Sequence, residues 1–256
     1  MKKLFLKFFA IIMLCLALIP RVNIYADYCR FYVKRNNEHK QPTIDTNYSF
    51  IEECGGIYVD KKHSDNSSEK VIYLTFDVGY ENGNVEKILD VMKNEGVVGS
   101  FFILENVINR EPNLVLRMAN EGHLVCNHTS NHPNLVGKSQ ELCESEIKGL
   151  EEVYKNLTKK ELSKFFRPPE GSFDKELLLR VKEMGYTTVF WSFAYADWDN
   201  SLQMSEEKAL KKILDNIHNG EIMLLHPTSA TNAKIMQRLI TELKSQGYRF
   251  ATLDEL

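Results

Sequence analysis

From Val71 onward, short β-rich runs alternate with stretches of helical periodicity, and this alternation constrains the fold more than any other feature of the chain. The strand candidates are VIYLTF at 71–76, VGSFFI at 98–103, HLVC at 123–126, a brief KFF at 164–166, TTVFWS at 187–192, IMLLH at 222–226 and RFATL at 249–253. Between them lie amphipathic stretches. In NVEKILDVMKNEG, Val85, Ile88, Leu89 and Met92 share one helical face; in KIMQRLITELKSQG, Ile235, Leu239 and Leu243 do the same. Glycines stand just before several of the following strands, at Gly96, Gly122, Gly185, Gly220 and Gly247, where a helix is expected to stop. Seven β-then-α units imply parallel strands joined by helical crossovers. The fold class is therefore α/β. A closed or nearly closed barrel of seven strands fits better than the alternative, an open doubly wound sheet. The sequence carries no Gly-rich phosphate loop, which weighs against a nucleotide-binding version.

The N-terminus differs. Lys2, Lys3 and Lys7 precede an uncharged apolar run from Phe8 to Pro20, the pattern of a signal peptide or a short membrane anchor. Ala26 suits a cleavage point, although Ile24 is large for the small-residue rule, and the run is short for a membrane span. Cys15 follows Leu14 rather than a small residue, which speaks against a lipoprotein. The expected organisation is residues 1–26 as export segment or anchor, 27–69 as a polar N-terminal extension ending in the solvated KKHSDNSSEK loop, and 70–256 as one catalytic domain. Cys29, Cys54, Cys126 and Cys143 show no CxxC spacing; a Cys29–Cys54 disulfide and free thiols both remain open, and Cys126 is read as core. A net charge of -3 with no dominant basic stripe excludes nucleic acid as the expected partner.

In β/α barrels the chemistry collects at the C-terminal ends of the strands. Five strand ends here bear an ionisable group: Asp77 in TFDVGYENG, His128 and His132 in NHTSNHP, Arg167 in RPPEG, Asp197 beside Trp198, and His226 in MLLHP. Each has a plain structural alternative. Asp77 would serve as a helix cap, His226 as a satisfied core histidine, Arg167 as a turn cap and Trp198 as core. The histidines at i, i+4 suit two ligands of one metal ion, yet such a pair is often mere surface. These segments lie far apart in sequence, and a barrel mouth brings them together economically.

TFDVG, HTSNHP, RPPEG, ADW and LLHP together resemble the five motifs of polysaccharide deacetylases, the NodB-like carbohydrate esterase family 4, over roughly residues 70–256. TFDVGYENG, FWS…DW, LLHPTSATNA and the RNNE stretch at Arg35–Glu38 are similar to its sporulation branch, whose members deacetylate muramic acid on the way to muramic δ-lactam. The resemblance implies a distorted (β/α)7 barrel that hydrolyses N-acetyl groups on peptidoglycan glycan strands. Asp77 would be the general base, His226 the general acid, and His128 and His132 the protein ligands of a divalent metal such as zinc. Arg167 would orient Asp77, Asp197 would tune His226, and Trp198, Tyr195 and Glu170 would line the sugar groove. The branch also implies an exported enzyme of the cell wall or spore cortex that acts after an N-acetylmuramoyl amidase.

Two positions depart from the pattern. The family places a second aspartate, a metal ligand, where this chain has Val78, so weak metal binding is expected. Glu170 stands where the sporulation branch has a basic residue, an unfavourable charge for an anionic substrate. The runner-up readings are an N-acetylglucosamine or chitin-like deacetylase and a catalytically inactive wall-binding module; retention of all six ionisable residues argues against the second.

Overall fold

The structure, a computed structural model, describes residues 29–256. The apolar run at Phe8–Pro20 and the Ala26 cleavage point lie outside them. Among the described residues, no helix is long and apolar enough to cross a membrane.

All seven expected strands are present: β1 (Lys70–Val78), β2 (Ser100–Ile103), β3 (Leu124–Asn127), β4 (Ser163–Phe166), β5 (Thr187–Val189), β6 (Glu221–Leu225) and β7 (Tyr248–Ala251). The ladders between them are parallel. β1 is the centre. One side pairs with β6 through Ile72–Phe76. The other pairs with β7 through Lys70–Tyr73 and with β2 through Thr75–Val78. The seventh strand thus lies beneath β2 instead of holding its own place around the ring.

The barrel is distorted at a second point. β5 pairs with β4, then the ladder breaks over Phe190–Ser192, and Phe193–Ala194 resumes against β6. The N-terminal extension fills this break: Gly56–Ile57 pairs with β5, and the Phe190 amide donates to the Ile57 carbonyl at 2.8 Å.

Strand alternation sorts the side chains of β1 onto two faces. Ile72, Leu74, Phe76 and Val78 pack outward into a large cluster under the helices, while Val71 and Tyr73 fill the barrel interior. The helix α1 (Val85–Glu95) buries Val85, Ile88, Leu89 and Met92, the face its periodicity predicts, and stops at Gly96, which adopts the left-handed conformation. The helix α2 (Ala230–Ser245) likewise buries Ile235, Leu239 and Leu243.

The extension is less detached than its polarity suggests. Phe31, Ile51, Cys54, Tyr58 and Val59 are buried against Phe173, Leu178 and Phe190. Phe31 stacks on Phe190 with ring centroids 4.3 Å apart. Cys29–Arg30 pairs antiparallel with Ser172–Phe173, immediately after the RPPEG turn. Cys54 is a buried free thiol, so the Cys29–Cys54 bridge does not form; Cys126 is buried in the barrel interior as expected.

Candidate active site

The C-terminal ends of the strands open into a cleft of about 550 Å³. Asp77, His128, His132, Glu170, Tyr195, Trp198 and His226 all line it. The two remaining expected site residues, Arg167 and Asp197, are buried behind it.

Asp77 sits on the interior face of β1, two residues beyond Thr75. Its Oδ1 accepts from Arg167 Nη1 at 2.8 Å. The Arg167 guanidinium is fully buried and engaged at all three nitrogens: besides the bond to Asp77, Nε donates to the Val189 carbonyl, Nη2 to Thr75 Oγ1 and the Phe190 carbonyl, and its face lies 4.1 Å from the Phe102 ring centroid. Burial pushes the Asp77 carboxyl upward, but the charges of Arg167 and the neighbouring histidines outweigh it and hold Asp77 below the usual carboxylate range. The result is an ionised carboxylate with Oδ2 left over for chemistry.

The two histidines come together through a loop, not a helix. Thr129 and His132 both adopt positive φ, at 73° and 60°, and fold the segment back on itself. Such conformations cost about 1 kcal/mol each for non-glycine residues and gather at functional sites. Asn127 accepts from the Thr129 amide, and Thr129 Oγ1 accepts from the His132 amide at 2.8 Å. The imidazoles then stand edge to face, with centroids 4.9 Å apart.

His128 Nδ1 donates to the Arg167 carbonyl at 2.8 Å, which fixes the tautomer with a lone pair on Nε2. That Nε2 lies 3.7 Å from Asp77 Oδ2. Burial lowers the His128 pKa to about 4, so the ring is neutral at ordinary pH. A neutral imidazole whose other nitrogen is tied to a carbonyl is the usual state of a metal-ligating histidine. His128, His132 and Asp77 offer nitrogen and oxygen donors of the kinds a divalent ion takes, although among the described residues no group of three such side chains is placed to hold one. Val78 adds nothing to this set: it is fully buried on the outer face of β1 and does not line the cleft.

Across the cleft, His226 Nδ1 donates to Asp197 Oδ1 at 2.7 Å, and the His226 amide donates to Oδ2 at 2.8 Å. Burial works against a charged ring, but the Asp197 hydrogen bond and charge prevail and raise the His226 pKa above its ordinary value. Asn232, near the start of α2, donates to Asp197 Oδ2 at 2.6 Å and to the His226 carbonyl at 3.1 Å.

Tyr195 hydrogen-bonds Asn232 through its hydroxyl, so only part of its ring faces the cleft. Trp198 is an open aromatic surface, 60% exposed and 6.0 Å from the His226 ring. Its exposure contradicts the alternative of a core tryptophan. Glu170 lines the cleft but directs its carboxylate to Arg30, with Nη2–Oε2 at 2.9 Å.

Sequence reasoning missed Asn232, Thr75 and Arg30. Asn232 follows the MLLHP motif by only a few residues, so its place in LLHPTSATNA was the available signal. Nothing local marked Arg30, which meets Glu170 across 140 positions of sequence.

The sequence and fold match those of known proteins. The Polysaccharide deacetylase family model matches residues 64–189. The chain is 40% identical over 225 residues to the peptidoglycan-N-acetylmuramic acid deacetylase PdaA of Bacillus subtilis, covering 87% of this chain and 83% of that protein. The solved structure of Bacillus subtilis PdaA, a family 4 carbohydrate esterase, superimposes with a TM-score of 0.84 over 90% of this chain and 97% of that one. A peptidoglycan-N-acetylglucosamine deacetylase of Bacillus cereus is 32% identical over 195 residues, covering 74% of this chain and 89% of that protein. With its parallel barrel, its five motif-bearing strand ends and these relatives, the chain belongs to the polysaccharide deacetylase family, whose members are hydrolytic de-N-acetylases and in general metalloenzymes.

Proposed function

We propose that this protein is an exported peptidoglycan deacetylase that removes the N-acetyl group of N-acetylmuramic acid in glycan strands whose peptide stems an amidase has already cut away. Muramic δ-lactam in a spore cortex would follow. The observation that carries the reading is the placement of two opposite proton-handling groups across one cleft: Asp77 paired with Arg167, which favours its ionised form, and His226 paired with Asp197, which favours its protonated form. The 40% identity to a protein named for muramic acid supports that sugar over glucosamine.

Hydrolysis of the acetamide needs a water deprotonated on attack and an amine protonated on departure. Asp77 Oδ2 takes the water's proton, and Arg167 keeps the carboxylate in place and charged. A divalent ion held by His128 and His132, with Asp77 beside them, would polarise the acetyl carbonyl and acidify the attacking water. His226 delivers a proton from Nε2 to the sugar nitrogen as the carbon–nitrogen bond breaks, leaving acetate and a free amine. Asp197 and Asn232 hold the ring in position for that transfer. Trp198 offers a flat apolar face to the sugar.

Two imidazoles and a carboxylate shared with Arg167 are a sparse set, so the ion is held weakly. Calorimetric titration with zinc is expected to give a Kd of roughly micromolar or weaker, with the binding heat lost in His128→Ala; equal binding by that variant would remove His128 from the set.

The pH profile follows from the two shifted groups. Activity needs Asp77 ionised, so kcat/KM should fall only at pH below the ordinary carboxylate range. It also needs His226 charged, so activity should persist above the ordinary histidine value and fall as His226 deprotonates. Asp197→Asn removes the charge that raises His226 and should move the alkaline limb about one pH unit toward acid. An unmoved limb would mean that a different group is the proton donor.

Acetate release from intact peptidoglycan, amidase-treated peptidoglycan and chitin oligomers tests the substrate. Release confined to the amidase-treated glycan is expected. Release from chitin oligomers alone, or equally from intact wall, would favour the glucosamine reading.

A further inference from the structure

We infer that Arg30, carried by the N-terminal segment, is the specificity residue that holds the free lactyl carboxylate of the substrate, and that Glu170 positions it. The inference rests on the muramic reading above and names its anion site.

Deacetylation of stem-free muramic acid brings an anionic sugar into the cleft. Arg167 is fully buried behind Asp77, does not line the cleft and is already bonded at all three nitrogens, so it is not placed to hold a second carboxylate. Among the described residues lining the cleft, Arg30 is the only lysine or arginine.

Its backbone is firmly placed. Arg30 pairs with Ser172, the next amide donates to the Gly171 carbonyl at 2.9 Å, and Phe31 is buried on Phe190. With Phe31 pointing into the core, alternation turns Arg30 the opposite way. Its side chain remains 65% exposed in the cleft wall.

Glu170 meets it from the turn just before the paired Ser172. The residue holds a φ of 58°, a conformation unusual for a side chain larger than glycine, at the turn that ends in the buried Gly171. Its Oε2 accepts from Arg30 Nη2. A guanidinium carries five N–H donors in a fixed fork, so one contact with Glu170 leaves donors for a second carboxylate. Glu170 thus has two opposed effects: it orients Arg30 toward the cleft, and it cancels part of its charge. The pair is neutral as a whole and still presents N–H donors, which gives a preference for a carboxylate without trapping the product.

The test compares stem-free muramic glycan with the same glycan after conversion of its lactyl carboxylates to neutral amides. The wild type is expected to favour the free carboxylate about fivefold in kcat/KM, the scale of an exposed ion pair. Arg30→Ala should abolish that preference, with the loss carried by KM, and Arg30→Lys should retain part of it. Glu170→Gln leaves the strand pairing alone and removes a competing charge, so it should raise the preference about threefold. A preference undiminished in Arg30→Ala, or lowered in Glu170→Gln, would overturn the assignment while leaving the muramic reading intact. No acetate from either glycan with the wild type would overturn both.

Discussion

Asp77→Asn is expected to lower deacetylation by about 10³–10⁴-fold while the protein still folds. The amide keeps an oxygen that can accept from Arg167, but it cannot take a proton from water. Arg167 would lose its ionic partner inside the barrel, a change that costs about 3–5 kcal/mol when a buried pair is fully broken. The cost should fall short of that range. The guanidinium retains the Val189 and Phe190 carbonyls, Thr75 Oγ1 and the Phe102 ring, and the asparagine oxygen replaces one further contact. Steady-state kinetics beside a thermal melt separate the two effects. A folded variant with a rate near wild type would remove Asp77 from the role of base.

His226→Ala carries the second large effect, a fall of about 10²–10⁴-fold that belongs to kcat. The amine of a muramic residue is a poor leaving group unless protonated as the bond breaks, and no other group in the cleft is built like His226 for that purpose. Asp197 and Asn232 both grip it, and its charge is favoured by design of the site rather than by exposure. The alkaline limb of the pH profile should vanish with the side chain. A variant that keeps the limb and loses less than about tenfold would reassign the proton to another donor.

Much of this site is legible in the sequence. The seven strands announced themselves through β-rich runs bounded by helical periodicity, and five of them ended in ionisable residues that a barrel mouth would bring together economically. Asp77, His128, His132 and His226 do line one cleft, with Arg167 and Asp197 directly behind. The resemblance to polysaccharide deacetylases added roles that spacing alone left open.

What escaped notice has physical causes. The N-terminal extension buries single apolar residues, such as Phe31, Ile51 and Tyr58, separated by polar stretches. Its strands are two residues long, too short for any periodicity to register. Its interaction with the barrel is wholly long-range, and so is the meeting of Arg30 with Glu170. The charge of Glu170 therefore read as unopposed, whereas in the structure it is paired with Arg30. The place of β7 alongside β1 beneath β2 was equally hidden, since pattern reports that a strand exists and not which half of a neighbour it pairs with.

Mass spectrometry of glycan fragments from amidase-treated peptidoglycan, incubated with the protein and a divalent ion, bears most directly on the central claim. Muramic residues that have lost their acetyl group, with N-acetylglucosamine left intact and no such change under Asp77→Asn, are the expected products. Deacetylated glucosamine beside untouched muramic acid, or product formed equally by Asp77→Asn, would contradict it.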